Sequence, residues 1–395
     1  MNLKQPDKNT KLALILTGGG ARAAYQVGVL KAIAELTPRD ASNPFSIIVG
    51  TSAGAINSVA LAIYGHKFCD AVLRLQRIWR NFHVGQVFRS DLFGILKSGA
   101  HWLAGALLGG LGKYNPASFL DRTPLRYLLE AYLPCQQIND SIQQGVIESI
   151  GITASAYGDG RSVVFYQSAE KIEPWERSRR VGRPDTITID HLMASSAIPF
   201  VFAAERVGDD YYGDGSIRQI APLSPAIHMG ADRVLVIGVS KRRDIKEEHK
   251  KIPQYPSLAQ VGSHILNSIF IDSLETDLER LRRVNKTIEL IPSHHAVENN
   301  VSLRPIDVLV VSPSEDLQEI SYKYVQCLPL TVRFFLRGIG AMDNKSSSLV
   351  SFLLFEKEYC RELINLGYKD AMLRKDELQE FLNIDKATAA SCKCE

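Results

Sequence analysis

The sequence predicts an α/β fold: a three-layer sandwich with a mostly parallel central sheet flanked by helices, plus a helical C-terminal extension. Three observations predict it. Leu12–Leu16 (LALIL) and Phe45–Val49 (FSIIV) are short, continuous apolar runs of the kind that form strands buried on both faces. Each leads into a turn of small residues, Thr17-Gly-Gly-Gly20 and Gly50-Thr-Ser-Ala-Gly54. After each turn an apolar stripe follows, and two strand–turn–helix units in succession are the repeat of a parallel sheet.

In the first unit the helix is marked by Ala24, Val27, Val29, Leu30, Ile33 and Leu36, and Pro38 with the 40–44 cluster ends it. The second helix runs through Ile63. Further strands are expected at Ile147–Tyr157, Val163–Tyr166, Arg233–Val239 and Lys286–Ile291. Leu258, Val261, Ile265, Ile269, Leu274, Leu278 and Leu281 form one amphipathic stripe. Helical patterns at Leu349–Leu366 and Met372–Leu382 close the chain, dividing it into an α/β core over 11–300 and a helical extension over 301–395.

Composition bounds the function. The chain has 395 residues, 45% of them apolar and 23% charged, an ordinary globular make-up. Lys+Arg 46 against Asp+Glu 43 leaves a formal +3, too balanced for whole-molecule binding of nucleic acid, so any membrane affinity must be local. Six Cys without paired spacing argue against a disulfide scaffold, and Cys392-Lys-Cys394 lacks the second pair that zinc needs. The N-terminal apolar run is too short for a signal peptide and position 2 is not Gly, so a cytoplasmic protein is expected, with peripheral membrane contact. Leu92–Gly112 has the length of a membrane span but carries Lys97, His101 and six glycines; it reads as a Gly-hinged lid, an interfacial segment or a buried helix. Arg177-Ser-Arg-Arg-Val-Gly-Arg183 reads as a solvated loop or as a contact for anionic lipid heads.

Gly50-Thr-Ser-Ala-Gly54 carries the chemistry. It matches G-x-S-x-G, in which flanking Gly50 and Gly54 permit a sharp strand-to-helix turn that exposes the Ser52 hydroxyl. Gly18-Gly19-Gly20-Ala21-Arg22-Ala23 is the second feature, where consecutive backbone N–H groups can converge on an oxyanion. The same residues fit a dinucleotide fingerprint, Gly18-x-Gly20-x-x-Ala23 with Asp40 onward, which would imply an oxidoreductase but leaves Ser52 without a role. For a base, His228, His249, His264, His294 and His295 stand in the order of a conventional triad. Asp214, in Tyr211-Tyr-Gly-Asp-Gly-Ser216, is the better candidate, with Gly215 beside it. An EF-hand frame from Asp210 fails at Tyr212. An Asp base starts about 2.6 pKa units below His, a handicap of roughly 3.5 kcal/mol that burial can partly recover.

With these motifs the chain resembles the patatin-like phospholipases of bacterial type, over roughly residues 11–240. The resemblance lies in the glycine-rich loop, the G-x-S-x-G elbow and the Asp-Gly pair in that order, and extends to Ala194-Ser-Ser-Ala-Ile-Pro199 and Gly230-Ala-Asp-Arg-Val-Leu-Val236. Ala23 and Ser216 depart from the family's usual residues. The resemblance implies a Ser52–Asp214 dyad, oxyanion donors at Gly18, Gly19, Gly20 and Ala21, and motif support from Arg22, Gly50, Gly54 and Gly215. It also implies a phospholipid or other fatty-acyl ester as substrate, cleaved through an acyl-Ser52 intermediate without metal or cofactor. A catalytically silent lipid-binding protein is the other reading, since one fold hosts several functions.

Overall fold

The computed structural model describes residues 10–89, 120–199, 201–241, 258–291, 303–338 and 349–384. Both early units form as their patterns require. β1 (Leu12–Leu16) passes through a 3-10 turn, Gly20–Ala23, into α1 (Ala24–Leu36), and β2 (Ile47–Thr51) turns directly into α2 (Ala53–Tyr64). The amphipathic α3 (Phe68–Arg80) turns Phe68, Val72, Leu75 and Trp79 inward. α4 (Thr123–Tyr132) and α5 (Gln137–Gln143) precede the antiparallel pair β3 (Ser149–Ala156) and β4 (Ser162–Ser168). β5 (Trp175–Arg177), β6 (Arg180–Pro184), α6 (Ile189–Ser195), β7 (Glu205–Val207) and β8 (Asp210–Asp214) follow. Then come α7 (Ser224–His228), β9 (Arg233–Ile237), α8 (Leu258–Glu289) and β10 (Asp307–Val311). The chain continues through α9 (Leu317–Tyr322), α10 (Leu330–Gly338), α11 (Leu349–Leu353), α12 (Lys357–Leu373) and α13 (Lys375–Leu382).

One sheet runs through the molecule in the order β10-β9-β1-β2-β3-β4-β6-β5, and its first five strands are parallel. Alternate side chains of β1 feed two separate cores. Leu14 and Leu16 pack on the side of α1 and α2, whereas Ala13 and Ile15 join Leu278 of α8 on the other. That is the three-layer α/β sandwich the patterns predict.

The sequence beyond residue 300 opens with a strand, β10, which pairs in parallel with β9. Further on, α12 lies against α1 so closely that a Cβ on Gly28 would overlap the Ile364 carbonyl, and one on Gly367 the Tyr25 carbonyl. Tyr25 bonds Asp370 across that contact at 3.0 Å. This explains why α1 is buried nearly all round instead of along one stripe.

Three expectations need correction or placing. Lys286–Ile291 is no strand: Lys286–Glu289 completes α8 and the last two residues turn away from it, because Val284 and Ile288 extend the Leu281 stripe at spacings of three and four, with polar residues between. The arginine cluster 177–183 is not a loop but the antiparallel β5–β6 hairpin at the sheet edge, turning at Arg179 (φ 63°). Leu92–Gly112 lies outside the described residues. Among the described residues no helix is long and apolar enough to cross a membrane. Cys69 is disulfide-bonded, while Cys135, Cys327 and Cys360 are free thiols.

Candidate active site

Sheet register brings Ser52 and Asp214 together. On one side of β3, β2 pairs with residues up to Thr153, where Thr51 is its last registered partner. There β2 leaves the sheet for α2. β8 then enters the vacated lane from the opposite direction and ends with Asp214 opposite Ala154, the next residue of β3. Two strands thus meet end to end, one finishing at Thr51-Ser52 and the other at Asp214.

Ser52 sits at φ 54°, ψ −129°, the strained conformation of a residue forced into a tight strand–helix turn. Its surroundings hold it there. Its N–H donates to Ser195 Oγ at 2.8 Å, and that hydroxyl donates to the Thr153 carbonyl at 2.6 Å. Gly54 has no room for a side chain, since a Cβ would overlap the Leu16 carbonyl, so the first turn of α2 abuts the end of β1. Gly50 is equally enclosed by Ala55 and Ser58, and Gly215 by the Thr153 carbonyl.

Asp214 is fully buried and is gripped by its backbone: its N–H donates to the Ala197 carbonyl at 2.9 Å, and its carbonyl accepts from Ser155 Oγ at 2.9 Å. Oδ1 accepts the Ser216 N–H at 2.9 Å. Oδ2 has no strict hydrogen-bond partner among the described residues. Burial pushes the carboxyl up to about 6, against the opposing pull of the Ser52 hydroxyl, the Ser216 amide and hydroxyl, and the Arg122 guanidinium. The Ser52 hydroxyl is therefore near enough to stabilise the carboxylate without completing a well-formed bond to Oδ2. A carboxylate in this range is matched to proton transfer near neutral pH.

Arg122 and Ser195 were not singled out by sequence reasoning. Arg122 is buried, lowered to about 10 chiefly by desolvation, and bonds the Met193 and Ala203 carbonyls and Glu205. Its signal in the sequence is nil, since an Arg beside Asp121 belongs to no motif. Ser195 lies in the small-residue turn 194–199 that the motifs did mark.

The backbone N–H groups of Gly18, Gly19, Gly20 and Ala21 have no acceptor among the described residues. Gly20 has φ 54° and lies against the Phe352 carbonyl of α11, with no space for a Cβ. Arg22 is buried beside it; Nε and an Nη donate to Ser351 Oγ at 2.9 and 2.6 Å, and the guanidinium lies 4.0 Å from the centre of the Phe352 ring. The C-terminal α11 therefore braces the glycine-rich loop.

Ser52 and Gly20 both line one pocket. Ile56, Leu75, Trp79, Leu129, Phe202 and Phe355 give it an almost entirely apolar wall. Its lining suits an apolar ligand.

Among the described residues the rival constellations are not assembled. His228 stacks on Trp175 at 4.8 Å among the side chains of the α8 face, and burial with Arg177 and Arg180 lowers it to about 4. His249, His294 and His295 lie outside the described residues, as does the side chain of His264. Asp40 is exposed and pairs with Lys67 at 3.7 Å, away from any strand tip. Among the described residues no group of three His, Cys, Asp or Glu side chains could hold a metal.

A family model described as patatin-like phospholipase matches residues 14–227, more than half of the chain. Among solved structures the chain is similar to VipD from Legionella pneumophila, at 12% identity and a TM-score of 0.33, covering 93% of this chain and 67% of that one. A search of curated proteins gave no match.

Proposed function

The chain belongs to the patatin-like phospholipase family, a lipid acyl hydrolase family, and from that premise we propose that it cleaves fatty-acyl esters with Ser52 as nucleophile and Asp214 as base. One observation carries this reading: the ends of β2 and β8 set a strained serine against a buried carboxylate beside an apolar pocket. The acyl chain occupies the pocket and its carbonyl carbon meets Ser52 Oγ. As the O–C bond forms, the hydroxyl proton passes to Asp214. The oxyanion accepts from the free N–H groups of the Gly18–Ala21 loop, and the N-terminus of α2 adds its partial positive charge. Collapse breaks the ester C–O bond, and the departing alkoxide, a lysophospholipid or other alcohol, takes the proton from Asp214. Water then attacks the acyl-Ser52 ester while Asp214 accepts its proton, and that proton returns to Ser52 Oγ as the fatty acid leaves.

Mass spectrometry after treatment with a fluorophosphonate tests both roles. Modification is expected at Ser52 in the wild type and is expected to be lost in Asp214→Asn. Modification at another serine, or none, refutes the assignment.

A further inference from the structure

α10 presents an outer face that nothing in the described fold covers. Its sequence, LTVRFFLRG, holds two arginines and no acid. Val332 and Leu336 are buried in the core cluster, whereas Leu330 and Phe334 are 76% and 77% exposed. At 3.6 residues per turn, Leu330, Arg333, Phe334 and Arg337 fall within about 100° of arc. Two large apolar side chains thus stand beside two cations, which lie together on one flank. Neither arginine pairs with a carboxylate among the described residues; Arg337 is exposed, and Arg333 is half-buried with its Nε enclosed and without a partner there.

The helix also stands near the pocket. Cys327, three residues before Leu330, neighbours Glu356 and Glu358, and Tyr324 packs on Tyr359 with ring centres 6.3 Å apart. Those residues directly follow Phe355, part of the pocket wall. The neighbouring acids are already engaged: Glu356 bonds His83 at 3.0 Å and the Val84 N–H, and Glu358 pairs with Lys357 at 3.6 Å. The charge left to act outward at α10 is positive.

We infer that α10 is an interfacial helix that seats the protein on an anionic lipid surface, with Leu330 and Phe334 entering the acyl boundary and Arg333 and Arg337 reaching the phosphates. Exposed apolar side chains with cations along one side match the two layers of such a surface. The contact rests on the proposed hydrolase function, because it would bring the pocket to its substrate.

Co-sedimentation of full-length Ser52→Ala protein with vesicles of phosphatidylcholine and phosphatidylserine reads the contact without turnover. L330S/F334S is expected to weaken binding by roughly tenfold or more. R333Q/R337Q is expected to weaken it by roughly tenfold at low salt, with a smaller difference at high salt. R177Q/R179Q, on the β5–β6 hairpin, is expected to leave it intact. The inference is overturned by failure of the parent protein to bind, by undiminished binding of L330S/F334S, or by loss confined to the hairpin variant. A changed sedimentation coefficient of lipid-free L330S/F334S overturns it too, pointing to a second protein on this face. With Ser52 restored, turnover of a short soluble ester is expected to be equal in L330S/F334S and wild type. Absence of that turnover in the wild type counts against the hydrolase function alone and leaves the vesicle result readable.

Discussion

Asp214→Asn separates what the carboxylate does for catalysis from what it costs the fold. Burial raises this carboxyl from 3.8 to about 6, so the folded protein holds the proton more tightly than the unfolded chain does. Its contribution to stability is therefore fully present below about pH 4 and is lost as pH rises through about 6. A shift of about two units corresponds to about 3 kcal/mol. Asparagine has the same shape, keeps an acceptor for the Ser216 N–H and is never charged. It is expected to be more stable than wild type by up to about 3 kcal/mol near pH 8, and equal to it near pH 4. Its ester turnover should fall on the order of 10³–10⁴-fold, as when a group acting on a catalytic serine is removed. Wild-type kcat/KM should rise with pH through an apparent pKa of about 6. Urea unfolding followed by tryptophan fluorescence across this pH range, with an acyl-ester assay alongside, measures all three. An Asn variant less stable than wild type at high pH, or a stability difference that ignores pH, would refute the argument that desolvation sets this carboxyl.

Two further outcomes follow from the same geometry. Ser195→Ala removes the hydroxyl between the Ser52 N–H and the Thr153 carbonyl, and should cost about 1–3 kcal/mol in urea unfolding. It should also lower kcat roughly tenfold or more with KM little changed, since a loosened elbow misplaces the nucleophile. Leu129→Trp fills part of the pocket wall and should cut kcat/KM on long-chain esters about tenfold while sparing short ones; equal losses across a series of acyl lengths would show that the chain binds elsewhere.

Much of the design was legible in the sequence because it is local. Apolar runs ending in glycine turns determined β1, β2 and the helices after them, and the same turns marked Ser52 and the Gly18–Ala21 loop as candidates. Asp214 was legible as an Asp-Gly pair just after two tyrosines. Lys286–Ile291 misled because a short apolar run fits a strand as well as the end of a helix, and only the continued stripe of α8 distinguishes them.

What the tertiary structure decided is whatever depends on pairing between distant segments. Nothing in residue spacing says that β8 enters the lane β2 vacates, yet that register alone sets Asp214 against Ser52. Its raised pKa comes from burial in a site where Ala197 and Ser155, from separate stretches of chain, hold its backbone, against the opposing pull of Arg122. The brace of Ser351 and Phe352 on the glycine loop spans more than 300 residues. Turn chemistry is fixed by neighbours along the chain, whereas dielectric, register and packing exist only once the chain has closed on itself.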